Sequence, residues 1–72
     1  MTPKTRKVLS INENGLHLEC IKDNSDKVNP YRLYRVWWDH GNHRRLIDKF
    51  ADIQSVICEI YDISIGRVNA WP

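Results

Sequence analysis

One segment of the chain concentrates the residue types that bind other molecules most strongly. The stretch from Tyr31 to Arg45 is rich in Tyr, Trp and Arg, which are the residues most enriched at binding hot spots. Guanidinium groups pair with phosphates, and tryptophan rings stack on nucleobases. The segment therefore predicts a binding surface, whose candidate residues are Arg32, Arg35, Trp37, Arg44, Arg45 and Lys49.

The charges of the chain are divided unevenly between two regions. Residues 31–50 carry five Arg and Lys residues against Asp39 and Asp48, whereas the segment that follows is acidic, with Asp52, Glu59 and Asp62. The net charge of +2 thus conceals a basic hairpin and an acidic helix. Basic residues near the start of the chain extend the predicted basic area: Lys4, Arg6 and Lys7.

The histidines suggest a metal or a catalytic site, because Asp39, His40 and His43 cluster at one turn. Zinc needs three or four protein ligands, and only the distant His17 is left to complete the set. A nuclease would need a general base and a phosphate-holding cation, such as His43 with Arg44 or Arg45. The chain has no glycine-rich phosphate loop and no nucleophile motif. We therefore expect water-exposed turn histidines, no metal or other cofactor, and no enzymatic activity.

The first element that the sequence predicts is a β-hairpin. Two alternating stretches, residues 7–12 and 16–22, are joined by Asn14-Gly15, the dipeptide that best forms a type I′ turn. If Glu13 faces Leu16, the pairing continues outward and collects the apolar residues on one side. That side would hold Leu9, Ile11, Leu16, Leu18 and Cys20, and the wet side would hold Ser10, Asn12, His17 and Glu19.

The remaining elements predict an α+β fold with four antiparallel strands and one C-terminal helix, in the order ββββα. The expected parts of this single domain are a flexible arm (1–6), hairpin 1 (7–22), hairpin 2 (31–51), a helix (52–65) and a tail (67–72). Asp52 is a suitable helix cap, and Gly66 a suitable stop. An alternative ββα fold would extend the helix back to His43, because Leu46 and Phe50 also fit its apolar stripe.

Strand geometry places Trp37 and Trp38 on opposite faces of the sheet, so only one of them can face the helix. A two-residue Gly41-Asn42 loop would set Trp37 opposite Leu46. A three-residue loop would instead group Tyr34, Val36 and Trp38 with Leu46 and Phe50. We favour Trp38 inward, since Tyr34, Val36 and Trp38 form an uncharged run, and this leaves Trp37 exposed.

Length and cysteine content constrain the setting. A chain of 72 residues buries about 60% of the surface that its unfolded state exposes, so a homodimer is a natural source of extra stability. Cys20 and Cys58 lack zinc or disulfide spacing, and we expect free thiols in the core.

No apolar run reaches the roughly 20 residues of a membrane span, and the first residues do not look like a signal peptide. A cytoplasmic protein is expected.

The segment Tyr34 to Asp52, with the core Trp-Trp-Asp-His-Gly-Asn-His-Arg-Arg, resembles small uncharacterised proteins of phages and mobile elements of Gram-positive bacteria. The element order also resembles the PC4-like single-strand-binding fold. These resemblances imply a setting and a topology, and no site residues. The sequence thus favours a binding module for nucleic acid or a nucleoprotein. The alternatives are a protein-binding inhibitor or adaptor and, less favoured, a small nuclease.

Overall fold

The computed structural model describes residues 4–13, 15–37 and 43–67. The elements are β1 (Thr5–Glu13), β2 (Leu16–Asp23), β3 (Tyr31–Trp37), β4 (His43–Phe50) and α1 (Ile53–Ser64). The strands form one antiparallel sheet in the order β1-β2-β3-β4. This confirms the predicted ββββα fold. The alternative with a long helix from His43 is wrong, because residues 43–50 pair with β3.

The first hairpin has the predicted register. Ile11 pairs with Leu18 and Leu9 with Cys20, and Gly15 at the turn has a φ of 75°, a conformation that glycine adopts without strain. A β-bulge at Val8 shifts the pairing beyond this point. The predicted boundary of the first hairpin at residue 7 is wrong, because Thr5 and Arg6, which were assigned to a flexible arm, belong to β1 and pair with β2.

The core lies between the sheet and α1. Cys20, Leu33 and Val56 are each 0% exposed, and they form one cluster with Leu18 and Ile63. We call the side of the sheet that carries Leu18, Cys20 and Leu33 the helix face, and the opposite side the far face. Among the described residues, α1 is the one helix, and it packs on the helix face.

The ends of α1 follow the predicted signals. The Asp52 carboxylate accepts a hydrogen bond of 2.8 Å from the Ser55 amide, so it caps the first turn. At the other end Gly66 has a φ of 80°, and its amide donates to the Ile63 carbonyl at 3.1 Å. The Arg67 amide donates to the Asp62 carbonyl at 2.9 Å, which completes a Schellman motif. No helix in the described part of the chain has the length and apolarity to cross a membrane.

The second hairpin differs from both predicted registers. Trp37 pairs with His43 and Tyr34 with Leu46, and a bulge at Ile47 then shifts the pairing by one residue. Both predicted pairings of Leu46, with Trp37 or with Val36, are therefore wrong, because Leu46 pairs with Tyr34. Trp38, Gly41 and Asn42 themselves lie outside the described residues.

The face assignment of β3 is a second correction. Leu33 pairs with Cys20 on the helix face, so Tyr34 and Val36 point to the far face instead of toward α1. Trp37 is two residues from Arg35 and four from Leu33 along β3, so it lies on the same face as they do. This is the helix face, and not the open side that was predicted for Trp37. The uncharged residues Tyr34 and Val36 predicted the core side of β3 wrongly. The charged Arg35 lies on the helix face instead, where its guanidinium group stacks on the Trp37 ring.

Leucine truncation tests the core assignment. Leu33→Ala should lower the free energy of unfolding by about 2–4 kcal/mol, because a fully buried side chain is lost and a cavity remains. Leu46→Ala is the matched control on the neighbouring strand, and its side chain is 41% exposed. Urea denaturation should show a loss below about 1 kcal/mol for the control. Equal losses for the two variants would contradict the face assignment of β3.

Candidate functional site

The structure divides the six predicted binding residues into three groups. Arg32 is tied to a loop, Arg35 and Trp37 stack together on the helix face, and the remaining three lie along the exposed strand β4. The expected surface is therefore not one continuous patch. Its three parts have different physical roles, and only the last has the exposure that a binding surface requires.

Arg32 has a structural role. Its guanidinium group donates hydrogen bonds to the carboxylates of Asp23 and Asp26, the latter at 3.2 Å, and its side chain is only 19% exposed. Both carboxylates belong to the β2–β3 connection or its border. Arg32 thus fastens the loop to the far face, and its low exposure leaves little of the guanidinium group accessible to a ligand.

Hydrogen bonds in the β2–β3 connection lower the pKa values of Asp23 and Asp26. Hydrogen bonds from Ser25, at 2.9 Å from the amide and 2.6 Å from the hydroxyl, lower the pKa of Asp23, with a further contribution from Arg32. The pKa of Asp26 is lowered mainly by the Asn29 amide, at 3.0 Å, with contributions from Val28 and Arg32. These bonds favour the ionised carboxylates, so the loop is organised around two charged side chains.

Arg35 and Trp37 form a stacked pair on the helix face. The Arg35 guanidinium carbon lies 4.7 Å from the Trp37 ring centroid, and Arg35 is only 4% exposed. Burial lowers the pKa of Arg35, and the charge of Arg45 on the adjacent strand lowers it further. The ring thus shields a charge next to the core. Arg35 is consequently a packed residue, in contrast to its predicted role as a surface contact.

Arg44, Arg45 and Lys49 lie on β4, at one edge of the four-stranded sheet. All three are exposed. The strand also carries Asp48, whose carboxylate accepts a hydrogen bond of 2.7 Å from the adjacent Lys49 amide. The pairing directs Arg45 to the helix face and Arg44 and Lys49 to the far face. Cations therefore project from both sides of this edge strand.

A cluster that the sequence analysis missed lies on the far face, around Glu19. This residue is 6% exposed, and its two carboxylate oxygens contact different cations. Arg44 Nη1 is 2.9 Å from Oε1, and Lys7 Nζ is 3.2 Å from Oε2. The Arg44 guanidinium also lies over the Tyr34 ring, 5.6 Å from its centroid. Because Arg44 reaches across β3, the cluster joins β1, β2 and β4.

One signal in the sequence pointed toward this cluster. Glu19 stands on the predicted wet side of hairpin 1, where it is the one acidic residue among Ser10, Asn12 and His17. Its cationic partners could not be found without the order of the strands, since Lys7 and Arg44 are separated from it by 12 and 25 residues respectively. Next to the cluster is a cavity of about 320 Å³. Its lining comprises Thr5, Arg6, Lys7, Glu19, Ile21, Val36 and Arg44.

The histidine turn is only partly described. His43 is exposed at the start of β4, whereas Asp39 and His40 lie outside the described residues. His17 is on the far face of hairpin 1, paired with Asn12. Within residues 4–13, 15–37 and 43–67, no group of three or more His, Cys, Asp or Glu side chains could hold a metal ion.

The cysteines also differ from the prediction in one respect. Both are free thiols, and Cys20 lies in the core, where burial raises its pKa. Cys58 is exposed on α1, although the sequence suggested that it would be buried. It stands next to Ile57, which is 47% exposed, so this side of the helix is not covered by the sheet.

Comparison of the chain with models of protein families, with curated protein sequences and with solved structures gave no match. A function must therefore be inferred from the chemistry of the sites themselves. The resemblances to mobile-element proteins and to the PC4-like topology stay predictions.

Acidification tests the organisation of the β2–β3 connection. Because Asp23 and Asp26 have lower pKa values in the folded chain than their ordinary 3.8, they stabilise the fold above that pH, and the effect is lost as the pH falls through the lowered values. Asp23→Asn removes one of these titrations. Urea denaturation between pH 5 and pH 2, a window of about three units around the ordinary Asp value, should show a smaller acid-dependent loss than in the parent chain. An unchanged loss would contradict the assigned role of Asp23.

Proposed function

We propose that this protein is a non-enzymatic binding module that binds nucleic acid, free or within a nucleoprotein, along its edge strand β4. The observation that carries the proposal is the exposure of Arg44, Arg45 and Lys49 on that strand, against the single acidic Asp48. In the described part of the chain, no salt bridge joins Arg45 or Lys49 to a carboxylate, although the charge of Lys49 contributes to the lowered pKa of Asp26. Both side chains are exposed and can contact phosphates, which supply a large share of the affinity for nucleic acid.

Aromatic rings flank the basic strand on both sides of the sheet. Tyr34 lies beside β4 on the far face, and Trp37 lies beside it on the helix face. Each ring is stacked against an arginine, Arg44 and Arg35 respectively. Unpaired bases stack on aromatic rings and on guanidinium planes, so a single strand beside β4 would meet both kinds of surface. This combination favours single-stranded nucleic acid over a purely acidic protein.

The edge position itself offers a second explanation for the cations. Charged side chains on an edge strand hinder pairing with the edge of another molecule, and Lys is common in that role. That effect requires charge but no aromatic neighbours and no specific ligand. Binding measurements therefore decide between the two explanations. A cytoplasmic location belongs to the proposal, because both cysteines are free thiols and nucleic acid is accessible there.

Binding of a fluorescent oligothymidylate, followed by anisotropy at increasing salt, tests the proposal. Arg45→Ala and Lys49→Ala should each weaken binding about three- to tenfold at low salt. Each should also reduce the slope of log K against log salt by about 0.7, the value for one lost phosphate contact on a single strand.

Lys27→Ala is the control, because Lys27 is an exposed lysine in the β2–β3 connection and does not belong to β4. It removes the same unit of net charge, so a general charge effect would appear equally in all three variants. That outcome, or no binding of the parent chain at low salt, would overturn the proposal.

A second candidate function, protein binding, is favoured by an exposed apolar stripe on α1. Ile57, Tyr61 and Ile65 are 47%, 61% and 50% exposed, and they recur every four residues on one side of the helix. The order Ile-Tyr-Ile reads the same in both directions. A two-fold axis through Tyr61 would therefore set Ile57 of one copy against Ile65 of another in an antiparallel contact. A homodimer is the partner that this symmetry fits best, ahead of an unrelated target of an inhibitor or adaptor.

Sedimentation equilibrium tests the homodimer. The parent chain should associate reversibly, and Tyr61→Lys should make it monomeric, because a charge would be buried at the centre of the contact. Lys27→Ala should associate like the parent. A parent chain that stays monomeric at millimolar concentration would exclude the second copy and leave the stripe to a different protein.

A further inference from the structure

The cavity beside Glu19 has the composition of an anion site. Three of its lining residues are cationic, Arg6, Lys7 and Arg44, and only Glu19 is acidic. The lining thus has a formal excess of two positive charges. At about 320 Å³, the cavity lies at the lower end of the range of ligand pockets, which suits a small group better than a large cofactor.

The cations are already held together before any ligand arrives. Lys7 and Arg44 contact opposite oxygens of one carboxylate, at 3.2 and 2.9 Å, so the two cations are held at defined positions on either side of Glu19, at the border of the cavity. An ammonium has three N–H donors and a guanidinium has five, and Glu19 engages one nitrogen of each. The side chains are 51% and 43% exposed, and their remaining donors are therefore accessible.

The surroundings strengthen the field of these charges. Ile21 and Val36 form the apolar part of the lining, and Val36 is only 3% exposed. Apolar walls lower the local dielectric constant and concentrate the potential in a cleft. Tyr34 lies under the Arg44 guanidinium and limits its orientations. Ligand binding would consequently cost less side-chain entropy than it does for a free surface arginine.

We propose that this cavity binds a phosphate group, and that a single nucleic-acid strand supplies it by crossing the far face from β4 to β1. The identity of the strand rests on the proposed function, whereas the phosphate site rests on the cavity alone. Arg44 belongs to both surfaces, because it is on β4 and also lines the cavity. An unpaired base next to Arg44 can stack on the Tyr34 ring, which lies on the same far face.

The sheet sets the length of strand that such a path requires. Three interstrand spacings separate β1 from β4, which amounts to about 14 Å at roughly 4.8 Å each. At about 3.4 Å per nucleotide, the spacing of stacked bases, this path corresponds to about four nucleotides. A dinucleotide should therefore contact one end of the path only, and a pentanucleotide should span it.

Inorganic phosphate is the first probe, titrated at low ionic strength into the ¹⁵N-labelled full chain and followed by amide chemical shifts. We expect saturable shifts at Lys7, Glu19 and Val36. Lys7→Ala should weaken this binding at least about tenfold, the size expected for one charge-assisted hydrogen bond. Lys27→Ala should leave it unchanged, because Lys27 does not line the cavity.

Oligothymidylates of two and five nucleotides then identify the source of the phosphate. The longer strand should bind more tightly, and Lys7→Ala should weaken the binding of both, because each carries a phosphate that can enter the cavity. Absence of saturable shifts around the cavity with inorganic phosphate would overturn the phosphate site, even if oligonucleotides still bind through β4. Phosphate binding without oligonucleotide binding would instead overturn the proposed function and the path. Equal effects of Lys7→Ala and Lys27→Ala would overturn the site as well.

Discussion

The contact among Cys20, Leu33 and Val56 determines the arrangement of the whole surface. These three side chains are 0% exposed, and they come from β2, β3 and α1. Because side chains alternate along a strand, fixing Leu33 toward α1 fixes Tyr34 and Val36 on the far face. A shift of one residue in β3 would exchange the two sets. The face on which every aromatic and basic residue of β3 lies follows from this one packing choice.

The consequence of that choice is a sheet with two chemically different sides. The helix face holds the apolar core and, toward the second hairpin, the stacked Arg35 and Trp37. The far face holds two ionic clusters, one around Glu19 and one around Arg32. Both clusters are anchored by partly buried carboxylates, which keep the basic side chains in defined positions. The far face is therefore a preorganised polar surface, in contrast to a solvated row of flexible charges.

The first hairpin and the helix could be predicted from the sequence, because their signals are local. Asn14-Gly15 set the register of Leu9 and Ile11 against β2, and Asp52 and Gly66 marked the ends of α1. The second hairpin had no comparable turn signal. The bulge at Ile47 shifts the pairing of β3 with β4 by one residue, and no residue type in this stretch indicates it.

The candidate site was predictable only in part, for a related reason. Residue type identified Arg44, Arg45 and Lys49, which are exposed, but it could not separate them from Arg32 and Arg35, which are held by partners within the fold. The Glu19 cluster depends on contacts between strands that are far apart in sequence. Such contacts are set by sheet order and side-chain reach, and neither periodicity nor composition encodes them.

Photochemical cross-linking tests the central claim most directly, because it identifies the surface that a strand touches. A short oligonucleotide with a halogenated uracil cross-links to aromatic side chains next to the base, and mass spectrometry locates the modified peptide. The account predicts cross-links at Tyr34, beside β4 on the far face. Cross-links confined to Tyr61, on the exposed side of α1, would contradict it.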